Sequence, residues 1–305
     1  MKDFQRTGLG DKVFLGIVYA ILAVCFLIVL YPLIYVISAS FSDPTAVSSG
    51  EMILLPVRAT LEGYRYIFNY REIWVGYANT IFYTVVGTIL NLLFTIPCAY
   101  ALSRRDLKGR GIIMALFVVT MYFSGGLIPT YLNMKDLGLL DTRWSMLLPG
   151  LVSAYNLIVA RTFFANTIPW ELHEAAFLDG CSDFKLFLKV ILPLSAPIIA
   201  VMVLYYGVAH WNAYFNAMIY IRNRDLYPLQ VFLKEILTKG QFAAEAMQGG
   251  ASLSVEEMMV LAKQAETANM IKYCIIVVAS VPMMIAYPFM QKYFAKGVMI
   301  GAVKG

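Results

Sequence analysis

Few side chains in this sequence could do covalent chemistry, and their spacing excludes the familiar reactions. The only histidines are His173 and His210. His173-Glu174-Ala175-Ala176-Phe177 begins like a zinc-protease H-E-x-x-H but has phenylalanine where the second ligand belongs, so a zinc site cannot close. The sequence has no G-x-x-x-x-G-K-[ST] loop to cradle nucleotide phosphates, and G-x-S-x-G and C-x-x-C are also missing. No catalytic residue, metal ligand or bound cofactor is expected of this chain. What remains is the chemistry of recognition. Thr84, Thr88, Asn91 and Thr95 fall at i, i+4, i+7 and i+11, one stripe of a helix. Tyr205, Asn212 and Asn216 repeat that wide spacing, with Tyr206, His210, Trp211 and Tyr214 beside them. Amides next to aromatic rings suit sugars, which present hydroxyl edges and C–H faces. Tyr122, Phe123 and Tyr155-Asn156 have the same character. Each group also has a plainer reading. Thr and Asn bond membrane helices to one another, and Tyr and Trp gather at the membrane interface.

The elements that must position these residues are apolar and long. Of the 305 residues 60% are hydrophobic and 14% charged, with mean hydropathy +0.69, whereas soluble domains carry about 25% charged residues. Six runs lack Asp, Glu, Lys and Arg altogether: Val13–Ser42, Ile73–Ser103, Gly111–Met134, Trp144–Ala160, Val190–Ile221 and Tyr273–Gln291. About 20 helical residues cross a bilayer core. The fourth run is short, but Arg161 can snorkel and lengthen it. The expectation is an all-α polytopic membrane protein, one domain over 1–305, with six spans near 13–40, 74–102, 111–132, 144–164, 190–220 and 272–292. A soluble enzyme, a disulfide scaffold and a disordered chain are excluded. Cys25, Cys98 and Cys274 lie in apolar runs and Cys181 just after one, so no disulfide framework is implied. The first run far exceeds the 7–15 residues of a signal-peptide core, so it is read as a retained span.

Charge sets the expected orientation. With both termini cytoplasmic, the inner segments hold 13 of the 24 basic residues, and the eight-residue connection Ser103–Arg110 alone holds four. Short cation-rich loops stay inside, so the net charge of +5 reads as topology and not as a nucleic-acid surface. The outer loop 222–270 is the largest extramembrane piece. Ser254-Val255-Glu256-Glu257 marks a helix start running into the last span, and the glycine-rich stretch from Gly240 to Gly250 reads as a loop. Prolines 32, 97, 129, 149, 193, 197, 282 and 288 and the pair Gly125-Gly126 fall within the spans. They either kink helices along a moving path or reflect the general abundance of Pro and Gly in membrane helices.

The connection 165–189 carries the most specific pattern. Thr167 is placed to cap a short helix with Pro169 in its first turn and Glu171 and Glu174 near its positive end. Asp179-Gly180 stops it, and Ser182 or Asp183 caps the next helix. The product is a helix-turn-helix on the cytoplasmic face with a bulky edge of Trp170, Leu172, Phe177 and Leu178. An amphipathic helix that merely floats on lipid would look similar.

Spacing separates the two. Glu174-Ala175-Ala176, three residues, Gly180, nine residues and then Val190-x-Leu192-Pro193 resembles the signature of integral permease subunits of binding-protein-dependent ABC importers. That family usually has Ile at the position of Val190. The ending Gln291–Gly305 and Ile168-Pro169-x-Glu171-Leu172 resemble the maltose-type carbohydrate-uptake permeases, in particular their smaller second subunit. The resemblance implies a bacterial cell-membrane subunit forming half of a pathway for an oligosaccharide. It implies as partners a second six-span permease, two copies of a cytosolic ATPase that carry ATP and Mg, and an extracytoplasmic solute-binding protein touching loop 222–270. Coupling to the ATPase would run through Glu171, Glu174, Ala175, Ala176, Asp179, Gly180, Leu192 and Pro193, with a C-terminal contact at Lys292, Lys296 and Gly297. The pathway candidates are Thr84, Thr88, Asn91, Tyr205, Trp211, Asn212 and Asn216. An alternative cargo is a sugar phosphate or another small polar solute. No Lys or Arg lies in the six charge-free runs, which favours neutral recognition by this subunit. A membrane enzyme or assembly factor is the reading from another class, and no catalytic constellation supports it.

Overall fold

The computed structural model describes residues 8–248 and 254–302, and every regular element among them is helical. In chain order these are α1 (Leu9–Ser40), α2 (Pro44–Ser48), α3 (Glu62–Asn69), α4 (Arg71–Ser103), α5 (Arg110–Tyr122), α6 (Leu127–Asp136), α7 (Trp144–Leu147) and α8 (Ala154–Thr167). There follow α9 (Glu171–Leu178), α10 (Asp183–Leu186), a π turn at Phe187–Ile191, α11 (Leu192–Leu194), α12 (Ala196–Trp211) and α13 (Phe215–Tyr220). A 3-10 turn at Arg224–Leu226 leads to α14 (Leu229–Gln248) and α15 (Val255–Ala302).

Helices α1 and α4 cover the first and second expected spans, and α15 contains the last. The middle three spans differ from expectation because the backbone breaks inside them. Helices α5 and α6 meet at 115° across Phe123–Gly126, where Gly126 takes φ +84 and donates to the Ser124 hydroxyl. The run 144–164 is not one helix. Pro149 has no donor to continue α7, Gly150 turns at φ +75, and the Ser153 hydroxyl starts α8 by accepting from Asn156 N. Helix α8 has 14 residues, about 21 Å, against a bilayer core of about 30 Å. The run 190–220 bends 78° between Leu194 and Ala196 and stops as a helix at Trp211. Among the described residues, three helices are therefore long and apolar enough to cross a membrane, and up to five if each bent pair counts as one span.

Two loop expectations also change. Thr167 ends α8 and caps nothing, because the chain stays helical from Ser153 up to it. Residues 240–248 are helix and not loop. Gly240 is buried where α14 meets α15, and a Cβ there would lie 2.1 Å from the Ala268 Cβ. Glycine at that position permits the close approach. The start of α15 is as read: the Ser254 N–H and hydroxyl donate to Glu257 Oε2 at 2.9 Å, while Glu257 N donates back to Ser254 Oγ at 3.2 Å.

Contacts divide the chain into two compact units, one of residues up to Tyr70 with Glu235–Ser280, the other of Arg71–Lys234 with the residues from Val281 onward. In the first, Gly63 lies against the Met270 carbonyl and the Cys274 sulfur, and the Tyr64 hydroxyl bonds Ser40 Oγ at 2.7 Å. The second is built on α4, which packs along α8 and α12 around a core containing Ile96, Ala99, Leu157, Ala160, Ile198 and Met202.

The Gly240–Ala268 approach gives a direct test. Gly240→Val should destabilise the protein by about 1–3 kcal/mol through overpacking, read as a lower Tm in detergent. The swap Gly240→Ala with Ala268→Gly should recover most of the loss, while Gly16→Ala, which meets nothing within 4 Å, should be silent.

Candidate coupling site and membrane pathway

Helix α9 is a short block held from one side. Pro169 and Trp170 open it, with His173 N and Glu174 N both donating to the Trp170 carbonyl at 2.8 and 3.3 Å. Gly180 closes it at φ +65: Gly180 N donates to the Phe177 carbonyl and Cys181 N to the Ala176 carbonyl, satisfying carbonyls that would otherwise stay open. Ser182 then caps α10 by accepting from Lys185 N. One face of α9, Leu172 and Ala176, packs on the core cluster together with Leu192 of α11. The opposite side is bare. Phe177 and Leu178 are 83% and 85% exposed, and Glu171, Glu174, Ala175, Asp179 and Pro193 are also exposed. The expected coupling residues are thus brought together around one projecting edge, with Leu192 and Ala176 at its root.

Two attachments fix that block to the end of α4, and sequence reasoning missed both. The Tyr100 hydroxyl lies 3.1 Å from His173 Nε2, and the His173 ring stacks on Tyr100 and on Trp170. Beyond them Arg104 reaches Asp106 through Nε at 2.9 Å and Nη2 at 2.5 Å, and pairs through Nη1 with Asp183 at the start of α10. Arg110 Nη1 in turn donates to the Arg104 carbonyl at 2.7 Å. The guanidinium holds the Asp106 carboxyl below its ordinary range. Burial first, and then the Arg104 charge, push His173 below its ordinary 6.5. The His173 ring thus lies stacked between Tyr100 and Trp170 at the root of α9. The only sequence trace of the clamp is the density of cations in Ser103–Arg110, which speaks of topology and not of a partner.

The polar stripe of α4 turns inward. Asn91, 2% exposed, donates from Nδ2 to the carbonyls of Leu151 at 2.8 Å and Gly150 at 3.3 Å, and its Oδ1 accepts from His210 Nε2 at 2.7 Å. His210 sits over Gly87, where a Cβ would come within 2.4 Å of Nε2. Thr95 Oγ1 lies 2.8 Å from the Tyr206 hydroxyl, which also accepts from Ser153 N. Thr88 is buried, and the Thr84 and Thr88 hydroxyls find no hydrogen-bond partner among the described residues. This stripe binds α4 to α12 and to the broken segment 148–153. Trp211 is buried beside Tyr77. Tyr205 and Asn212 do face outward, and Tyr205 lies 6.4 Å from the exposed Tyr155 ring. Asn216 is half-buried on α13. The α15 backbone continues through Lys292, Lys296 and Gly297, whose side chains lie outside the described part.

The structure combines an exposed short helix with a bundle of long and broken apolar helices. The chain belongs to the family of binding-protein-dependent transport system inner membrane components, which residues 73–300 match. It is an ABC transporter permease, an integral membrane protein and not itself an enzyme. It is 43% identical over 97% of its length, and 99% of the relative's, to the polygalacturonan/rhamnogalacturonan transport system permease protein YtcP of Bacillus subtilis. It is 28% identical to the arabinooligosaccharides transport system permease protein AraQ of Halalkalibacterium halodurans, covering 91% of this chain and 92% of that one. Its fold superposes with TM-score 0.80 on a chain of a bacterial ABC transporter involved in the import of the acidic polysaccharide alginate, at 37% identity over 95% of this chain and 99% of the other.

Two predictions follow from these contacts. Asn91→Leu strands the Leu151 carbonyl and His210 in a low-dielectric interior, so it should lower stability by about 1–2 kcal/mol, measured as thermal unfolding in detergent. The depressed His173 pKa means the unfolded chain accepts a proton that the folded chain resists. Its contribution is complete above the unfolded value of 6.5 and is lost as pH falls from there through the lower folded value. The Tm of the native protein should therefore drop between about pH 7 and 5 by more than that of His173→Gln.

Proposed function

We propose that this chain forms half of the translocation pathway of an ATP-driven oligosaccharide importer. A second six-span permease supplies the other half, two copies of a cytosolic ATPase supply ATP and Mg, and an extracytoplasmic binding protein delivers the cargo. Residues 1–305 act as one transmembrane permease with six crossings and cytoplasmic termini in a bacterial inner or plasma membrane. The third, fourth and fifth crossings are broken helices, which lipid tolerates where neighbours complete the backbone hydrogen bonds. Asn91 and Tyr206 do this for the segment 148–153. Loop 222–270 meets the binding protein.

The observation that carries the reading is α9: exposed Phe177 and Leu178 on a helix fixed at both ends and clamped to α4. An apolar edge rooted in the core is built to sit in a cleft of another protein. Glu174 offers a charge to a basic residue there, the small Ala175 permits close approach, and Gly180 holds the turn. Glu171 and Asp179 flank the contact, Leu192 and Pro193 join it to the bundle, and the tail at Lys292, Lys296 and Gly297 adds a second contact. Tyr205 and Asn212, with Tyr155 near them, are the residues best placed to touch cargo. Thr84, Thr88, Asn91, Trp211 and Asn216 shape the wall behind them. Oligosaccharide cargo is supported by the relatives named for galacturonan, rhamnogalacturonan and arabinooligosaccharide transport and by the alginate importer.

The deciding experiment is affinity purification of the tagged chain from native membranes in mild detergent. Recovery of a P-loop ATPase, a second permease and a binding protein supports the assembly. Phe177→Glu should leave the second permease bound and release at least tenfold of the ATPase, since buried apolar anchors dominate such contacts. A chain that comes out alone after cross-linking overturns the reading.

A further inference from the structure

The first compact unit contains a pocket of about 420 Å³ that the coupling and pathway residues do not touch. Its floor is the close crossing of Gly240 on α14 and Ala268 on α15. Tyr66 on α3 and Tyr70, the extended residue that follows the helix, line it with their rings 6.1 Å apart and 15° from parallel. Lys239 and Lys263 line it from the two other helices, both are exposed, and neither takes part in a described ion pair. None of its lining residues is acidic. Two cations with no lining carboxylate favour an anion, and parallel phenol rings favour a flat C–H face beside it.

We propose that this pocket is an entry subsite for an acidic sugar unit, a uronate whose carboxylate lies between Lys239 and Lys263 and whose ring face packs on Tyr66 and Tyr70. The chemistry matches one ligand in both its parts: pyranose C–H bonds for the phenols and a carboxylate for the ammonium groups. It also separates two tasks within the chain. The six charge-free runs hold no Lys or Arg, and Tyr205 and Asn212 lie in the fifth of them, suited to neutral hydroxyls, while selection for charge takes place where the end of α3 meets α14 and α15. The subsite rests on the reading of the chain as an oligosaccharide permease with the segments 43–72 and 222–270 outside the membrane.

The test uses the assembled transporter in nanodiscs and in proteoliposomes with its binding protein. The probes are trigalacturonate and its neutral carboxyl-reduced analogue. The double variant Lys239→Gln/Lys263→Gln should weaken trigalacturonate binding to the binding-protein-free complex about fivefold to tenfold, since two partly exposed charge pairs are lost. It should leave the neutral analogue unchanged, raise KM for trigalacturonate uptake, and be rescued by Arg at both positions. Tyr66→Leu should weaken both probes. Equal loss for acidic and neutral probes, or none for either, would overturn the subsite while native uptake persists. If the native complex takes up neither probe nor any other oligosaccharide, it is the transport reading that fails.

Discussion

Backbone that leaves the helix at membrane depth must find its hydrogen bonds inside the protein, because lipid offers none. The break at Leu148–Ser153 is where this constraint acts most strongly. Pro149 and Gly150 open the helix, and the exposed carbonyls and amide are taken up by Asn91 of α4 and Tyr206 of α12. Those two side chains are in turn bound to His210 and Thr95. One small network thus makes the broken crossing tolerable and joins α4, α8 and α12 into a single packed body. Such bonds are worth about 0.6 kcal/mol each on average within a membrane. Their value lies more in excluding other packings than in summed strength.

Much of the architecture was legible because charge-free runs and helix signals are local. The runs located the helices of the first, second and last spans, Ser254 and Glu257 marked the start of α15, and Gly180 marked the end of α9. The breaks at Phe123–Gly126 and Leu148–Ser153 were visible as Gly and Pro, but those residues also occur in intact membrane helices. Gly240 misled for a related reason: glycine signals a turn in an isolated sequence, and only Ala268, 28 positions away in the chain, explains it as a contact. The stripe Thr84–Thr95 gave the correct face of α4 and no indication of what that face meets. Periodicity fixes direction, whereas partners such as Leu151 and His210 are set by tertiary packing.

Around α9 the same difference appears. The short helix α9 was readable residue by residue from its caps, since each cap involves neighbours in sequence. The clamp that fixes it was not, because Tyr100–His173 and Arg104–Asp183 join residues more than 70 positions apart.

Helix α4 joins these sites. Its N-terminal end holds the segment around Leu229 through Asn79, Thr80 and Tyr83, its middle carries Asn91, and its C-terminal end carries Tyr100. At 33 residues it is a beam about 50 Å long. Pro97, between the middle and the C-terminal end, deprives the Leu93 carbonyl of its helical donor. The beam therefore has one soft joint, placed between its clamped tip and its anchored shaft. The one opening in the hydrogen-bond ladder of α4 thus falls between Asn91, which binds the broken segment, and Tyr100, which meets His173, so the two attachments stand on separate stretches of intact helix.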